Sequence, residues 1–476
     1  DPLIAANYGA ALAMQKRTEE AREQFLRAIE MGPDHPNSYY GLAQIAYNDG
    51  DYRLAVTSLD NMAAIAKGAS ARSQGFFDKA RQLYLDASIA AADEAHAELM
   101  ALVDERIREV ETMSGLPVRM AEDRSLQIPA SIQSGLQHGR DHHLLRYRDR
   151  DSVAMPHLLL HELEHIAMEA EAREAGLART FTSTAATQRA AMSAVDGHAR
   201  ALTRSGVADE FVDEWIPQAV EIIRSQLYNI PIDMIIEERL ADRYETLRSC
   251  QFVSLYQMHQ QAVPTLTDQH LRQITPPVIY RATLSLNHAF ALTIDHLYGA
   301  RIDCAVPYRR EAAAVNGPRI FALWQRTMRR FEPGDEYRFV DDVAKLLDLA
   351  GWYQWRVEEE DESPTLGEPD QPEGATNPEL LEEQDPAVVM YCLDALERFA
   401  GMSDLEVKQI GFEIGLLGQG GLDYASSNVK YTLKALPGEE FSGLALMAMM
   451  YVAFQRIDPS LDLQLPFEDA YRRALG

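Results

Sequence analysis

The run His161-Glu162-Leu163-Glu164-His165 constrains this chain more than any other feature. Residues four apart in a helix lie about 40° apart around its axis, so the two imidazoles share one face and point the same way. The flanking residues Leu158, Leu159, Leu160, Leu163 and Ile166 are apolar, which places the helix in a core. A buried imidazole or carboxylate needs a partner. The fold must therefore carry a second polar element to this helix. Pro156 suits a first helical turn, with Ser152 as an earlier cap, and Gly176 suits a stop, so the helix is expected from Pro156 to about Ala175. Six of the 13 histidines fall between His138 and His165.

Two imidazoles in this arrangement can place ring nitrogens about 2 Å from one Zn²⁺. Glu162 leaves the helix from the neighbouring edge, where it reaches a water on the metal rather than the metal itself. The pattern thus reads as two ligands, His161 and His165, and one general base, Glu162. A core histidine cluster without metal is the competing reading. His157, one turn earlier, is expected to pack or to support a ligand. Glu164, facing away from the histidines, is expected in solvent.

A zinc site that keeps one position open for water needs a third protein ligand. The candidates lie in a helix expected to open at Pro231. Glu238 and Asp242 stand at i and i+4, hence on one face. Glu238 would bind the metal, and Asp242 would accept a hydrogen bond from the far nitrogen of a ligand histidine, fixing its tautomer. On its own this pair also fits a solvated helix face. Glu237 is the alternative ligand, but its i+4 partner is Ala241, which cannot orient a histidine. HExxH followed by Glu238-Arg239-Leu240-Ala241-Asp242 resembles the gluzincin metallopeptidases, which pair HExxH with a downstream ExxxD. The resemblance covers roughly residues 115–250, with an unusually long gap of 73 residues between His165 and Glu238. It implies a small sheet in which His143–Tyr147 forms the edge that pairs with an extended substrate backbone. Tyr228, Tyr244, Tyr280, His288 and His296 are open candidates for the donor to a developing oxyanion.

The N-terminal region repeats at a spacing of 34: Gly9 aligns with Ala43, Ala21 with Ala55, Phe25 with Leu59 and Ala28 with Met62. Small residues let paired helices approach, and larger ones fill the space between pairs. With Tyr39-Tyr40-Gly41-Leu42-Ala43 and Gly50-Asp51-Tyr52, residues 2–68 resemble tetratricopeptide repeats. Two repeats bury little, so either earlier repeats are missing or the long helical segment from about Ser73 to Met113 caps the stack. Beginning at Asp1 without Met, partway into a repeat, the chain reads as a fragment, and a leader ahead of it stays open.

The expected architecture is mainly α. Tetratricopeptide helical repeats occupy 1–70 and a helical connector or cap 71–114. A zincin-like α+β metallopeptidase domain with a small sheet spans 115–355. An acidic, Pro-rich linker covers 356–386, and a C-terminal helical domain 387–476. The run Gly418-Gln419-Gly420-Gly421 has the wrong spacing for a phosphate loop and reads as a turn.

Composition narrows the partners. With 73 acidic against 45 basic residues the formal charge is −28, which repels nucleic acid and anionic membranes. No stretch approaches the ~20 apolar residues of a membrane span. Cys250, Cys304 and Cys392 are odd in number and far apart, which fits a reducing, cytoplasmic setting. The expected function is a zinc-dependent endopeptidase acting on a protein or peptide substrate. The repeats would recruit that substrate or a regulatory protein partner. Because ligand histidines must be neutral, activity should fail in acid. The alternative is an interaction scaffold with a latent or structural zincin-like domain.

Overall fold

Glycine at position 41 decides how the first helices stack. In the computed structural model, which describes all residues except 66–73, 125, 127, 208, 268, 300–302, 310, 358–385, 420–429, 458–466 and 476, a Cβ at Gly41 would strike the Phe25 ring. The ring therefore fills the space between two helical pairs, α1 (Pro2–Met14) with α2 (Thr18–Met31), and α3 (Pro36–Asn48) with α4 (Tyr52–Ile65). Ala21, Ala28, Ala43 and Ala55 are fully buried where helices meet. The expected connector is two helices, α5 (Gln74–Glu94) and α6 (His96–Ser114), which meet at Ala95. Residues 71–73 of that stretch lie outside the described residues.

A three-stranded sheet follows, made of β1 (Val118–Glu122), β2 (Ala130–Gln133) and β3 (His143–Tyr147). Its order is β1-β3-β2, with β3 parallel to β1 and antiparallel to β2. The strand expected at an edge, His143–Tyr147, is therefore central and paired on both sides. β2, which the residue pattern did not suggest, holds the outer position.

Helix α7 (Met155–Glu174) lies against this sheet and α6. Leu159, Leu160 and Leu163 have no exposed surface, each contributing about 1.5–3 kcal/mol of burial. The helix ends where Gly176 turns into the left-handed region, φ 67°. β4 (Arg179–Thr182) and helix α8 (Ala185–Ser205) come next. They lead into α9 (Asp209–Arg243), a single helix of 35 residues with Pro217 and Pro231 inside it. The break expected at Pro231 does not occur. Two helices that bear on the site come after: α10 (Arg248–Thr267) and α12 (Pro277–Leu297), with the short α11 (Gln269–Ile274) between them. α5 packs on both α4 and α10. Tyr84 of α5 meets Phe252 of α10 edge to face, 4.7 Å between centroids. One apolar cluster thus runs from Ala43 and Leu59 through Tyr84 to Phe252, Leu284 and Tyr298.

The chain's remaining described elements are α13 (Val306–Arg309), α14 (Gly317–Met328), α15 (Asp335–Leu346), β5 (Gln354–Val357), α16 (Pro386–Ala400), α17 (Asp404–Gln419), a β6–β7 hairpin (Tyr431–Leu433, Leu436–Phe441), α18 (Gly443–Ile457) and α19 (Glu468–Leu475). β5 pairs antiparallel with β4, so Arg356 and Val357 belong to a strand. Pro386, the last residue of the expected acidic linker, opens α16, and residues 358–385 of that linker lie outside the described residues. So do Gly420 and Gly421, whose run begins inside the end of α17. The fold is mainly helical with small sheets. Among the described residues no helix is long and apolar enough to cross a membrane. All three cysteines are buried and unbonded.

Replacing Phe25 by Ala should leave a void against Gly41 and cost about 3–5 kcal/mol of local stability. Hydrogen exchange read by mass spectrometry should quicken in α2 and α3. Unchanged protection there would show that the ring does not hold the two pairs together.

Candidate metal centre

The polar element that the α7 histidines require is supplied by α9. Asp233 and Glu237 are four residues apart on that helix and so lie on one face. They meet the histidines as a ladder. His157 Nε2 lies 2.9 Å from Glu237 Oε2, and His161 Nδ1 2.8 Å from Glu237 Oε1. His161 Nε2 lies 3.4 Å, and His165 Nε2 3.6 Å, from Asp233 Oδ1. The two Nε2 atoms are 3.3 Å apart.

The inner and outer rungs differ in chemistry. Glu237 is buried and accepts N–H donors throughout: His157, His161, and Gln251 Nε2 at 2.7 Å. Its charge is already met. The outer rung is different. In the neutral ring with Nδ1 donating to Glu237, His161 Nε2 would carry a lone pair facing His165 Nε2 and a carboxylate oxygen; in the protonated ring the same Nε2 donates to Asp233. Three such atoms converging on one point could hold a cation. Ligands about 2.05 Å from a tetrahedral zinc stand roughly 3.3 Å from one another. The three outer edges, 3.3, 3.4 and 3.6 Å, fit that figure. The donor set of two imidazoles and one carboxylate is also the type that zinc takes in sites left open to water.

The electrostatics agree. Burial works to lower the pKa of His161, but hydrogen bonds to Asp233 and Glu237, and their charges, raise it well above the ordinary value. The site therefore stabilises positive charge at that ring. Burial and the neighbouring His161 lower His165 to about 3, which keeps it neutral. Burial pushes Glu237 upward, yet His157 and His161 hold it well below the usual carboxylate range. Asp233 is raised by burial against the pull of His161.

Glu162 leaves α7 on the sheet side. Its Oε2 accepts the N–H of Ile132 on β2 at 3.0 Å. Burial is the main cause that raises its pKa to about 7, and the charges of His161 and Asp233 reach it with opposite signs. The strand beside the candidate base is thus β2, not His143–Tyr147. His143 sits beneath the sheet with its Nδ1 accepting the N–H of Gly135 at 3.1 Å.

Compared with protein-family models, curated proteins and solved structures, the chain matches none. The site stands on its own geometry.

The structure brings His161, Glu162 and His165 together as the sequence suggested, but leaves Glu238 and Asp242 outside. Glu238 sits about 100° round the helix from Glu237. It is half-buried, its Oε2 has no hydrogen-bond partner, and the charges it feels are those of His296 and Asp242. Asp242 is exposed. Asp233 takes the place expected of Glu238. Glu237, the alternative ligand, lies with His157 and His161 in a second group of three whose atoms could hold an ion, and its contact with His161 Nδ1 is of the kind expected of Asp242. The five oxyanion candidates make these ring contacts: Tyr228 with Phe181, Tyr244 under Arg243, Tyr280 under Arg272, His288 with Tyr308 and His296 with Trp324.

Glu164 also departs from expectation. It is buried rather than solvated, with Oε1 2.7 Å from Arg106 Nη2 of α6 and Oε2 3.4 Å from Arg239 Nε of α9. Arg239 further forms a fork with Glu171 at 2.6 and 2.9 Å. α6, α7 and α9 are thereby pinned beside the histidine ladder.

Two measurements follow. Asp233→Asn should weaken zinc affinity beyond the roughly 10–100-fold that loss of an outer partner costs, while Glu238→Gln leaves it unchanged. A chelator competition with the reverse ranking would restore Glu238 as the ligand. Glu164→Leu should strip Arg106 of its buried partner, leaving it only Glu109 of the same helix, and cost about 1–3 kcal/mol in chemical denaturation; a loss under about 1 kcal/mol would mean that the pair behaves as a surface one.

Proposed function

We propose that the chain is a zinc-dependent peptidase with His161, His165 and Asp233 as ligands and Glu162 as general base. The observation that carries this is the outer rung, whose three nitrogen and oxygen atoms stand 3.3–3.6 Å apart and could each offer a lone pair to one ion. When bound there, zinc would supply a Lewis acid that acidifies water and polarises a carbonyl. The other steps belong to the protein. Glu237 fixes the His161 tautomer, keeping Nε2 available. Ile132 holds Glu162 Oε2, which leaves Oε1 as the atom that takes a proton and hands it to the leaving nitrogen. A carboxyl near pH 7 is matched to both halves of that transfer. The outer edge of β2 lies next to this base. An extended polypeptide added there would present its backbone carbonyls to the site, which favours a protein or peptide substrate. The HExxH helix on a small sheet supports a zincin-like domain. The two N-terminal hairpins, with their small residues at a spacing of 34, support tetratricopeptide repeats that dock a protein partner.

One observation favours the second reading, a latent domain within an interaction protein. Ala130, Ser131, Ile132 and Gln133 are each at most 6 % exposed, so the β2 edge is closed in this form. The two readings separate on the Glu162→Gln variant and on metal content. A peptidase binds one zinc per chain, and the variant keeps that zinc while peptide cleavage falls at least about 100-fold. Cleavage by the variant at the parent rate would rule out Glu162 as the base. A parent chain that takes up no zinc would leave only the scaffold.

A further inference from the structure

A continuous line of polar contacts joins the repeats to the metal centre. It begins on α4, where Asp60 Oδ2 accepts from Arg248 Nε at 3.3 Å. Arg248, at the start of α10, spreads its guanidinium over the Tyr298 ring, 5.0 Å from the centroid, and also donates to the Leu297 carbonyl at 3.2 Å. Tyr298 has no exposed surface and gives its hydroxyl hydrogen to Gln251 Oε1 at 2.9 Å. That bond fixes which way the Gln251 amide points. Gln251 Nε2 then donates to Glu237 twice, to Oε2 at 2.7 Å and to the backbone carbonyl at 2.8 Å. Glu237 Oε1 accepts from His161. Every member after Arg248 is buried until His161.

The direction of each bond matters. Tyr298 has one hydrogen, and Gln251 has one acceptor and one donor end. Reversing the amide would set a carbonyl oxygen against the Glu237 carboxylate, which is repulsive in a buried site. Glu237, ionised, accepts from His161 in any case; the Gln251 donation to Oε2 fixes where the carboxylate points, with Oε1 toward His161. The helices that carry the line belong to different parts of the chain, and α5 wedges Tyr84 against Phe252 beside it.

We infer that Tyr298 and Gln251 are positioning residues for His161, and that Asp60 and Arg248 tie their placement to the repeat helix α4. Occupancy of the repeats by a partner would then be felt as a change in zinc affinity. This rests on His161 being a zinc ligand, as proposed above. The line is a series, not a set of independent props. Losing two members should cost no more than losing the one nearer Glu237.

The test uses the full chain and zinc alone. Gln251→Leu and Tyr298→Phe should each weaken zinc binding about tenfold in chelator competition. Asp60→Ala should weaken it in the same direction, and Asp60→Ala added to Gln251→Leu should cause no further loss. A second readout needs no metal. In ¹⁵N spectra of the metal-free chain, the Nδ1–H signature of His161 should weaken in Gln251→Leu and Tyr298→Phe, whereas substitution of the exposed Asn61 beside Asp60 leaves it in place. Parent-like affinities and an unchanged His161 signature would overturn the inference. Additive losses would overturn the link to Asp60. A parent that binds no zinc would sink the peptidase reading instead, and the His161 signature would still decide the positioning role.

Discussion

The carboxylate of Glu237 is the constraint on which the rest of the site depends. An ionised group with no exposed surface is costly, by several kcal/mol even after relaxation. It persists only because His157 and His161 from α7 and Gln251 from α10 all donate to it. Those donors lie on separate helices, so the charge sets the register of α7 against α9 and of α10 against both. A shift of one residue in any of them would leave an anion unpaired in the interior. The same bond decides which His161 nitrogen faces outward, so the interaction that orders the core also prepares the surface that meets a cation.

A second buried charge does parallel work on the α7 face that meets α6 and α9, one turn beyond His161. Glu162 and Glu164, two apart in one motif, diverge: one reaches the Ile132 amide of β2, the other Arg106 and Arg239. Arg106 comes from α6, which follows the helix packed on the repeats. Arg239 comes from α9, two residues past Glu237. The motif helix is thus held by hydrogen bonds on three sides, which suits a site whose ligand atoms must stay within tenths of an ångström of a working geometry. An apolar residue at position 164 would pack as well. The charge pair adds direction, because a carboxylate between two guanidiniums has few alternative partners.

Much of this was legible in the residues. The spacing of His161 and His165, the apolar residues around them, Pro156 and Gly176 gave a buried helix within a residue of its observed bounds. The β character of His143–Tyr147 matched a strand of those limits. Pro231 misled. With a helix start there, the Glu238-to-Asp242 spacing drew attention, and Asp233, two residues after the proline, went unremarked. Inside a continuous α9, Asp233 and Glu237 become the pair on one face, with carboxylates in the reverse order of the expected pattern. The i, i+4 relation between them was visible all along. What sequence could not give was the rotation of α9 about its axis, which depends on where α7 and α10 pack. Ala130–Gln133 was missed for a related reason. The strand is four residues long and buried throughout, so it lacks the alternation that marks a strand with one wet face.

Access is uneven across the site, and that bears on what the protein can do. The outer rung keeps some contact with solvent, with His161, His165 and Asp233 side chains 14, 15 and 23 % exposed. The strand beside Glu162 is closed. A small cation and an extended polypeptide therefore face different barriers: the first needs only side-chain motion, the second needs β2 to be uncovered along its edge. Loading of the metal and admission of a substrate are separable in such a molecule. The repeat helices touch neither the outer rung nor β2 in any contact described above, but they reach Glu237 through Arg248, Tyr298 and Gln251. Under the proposed function, a partner on α1–α4 would act first on His161, and through α7, which carries both His161 and Glu162, on β2.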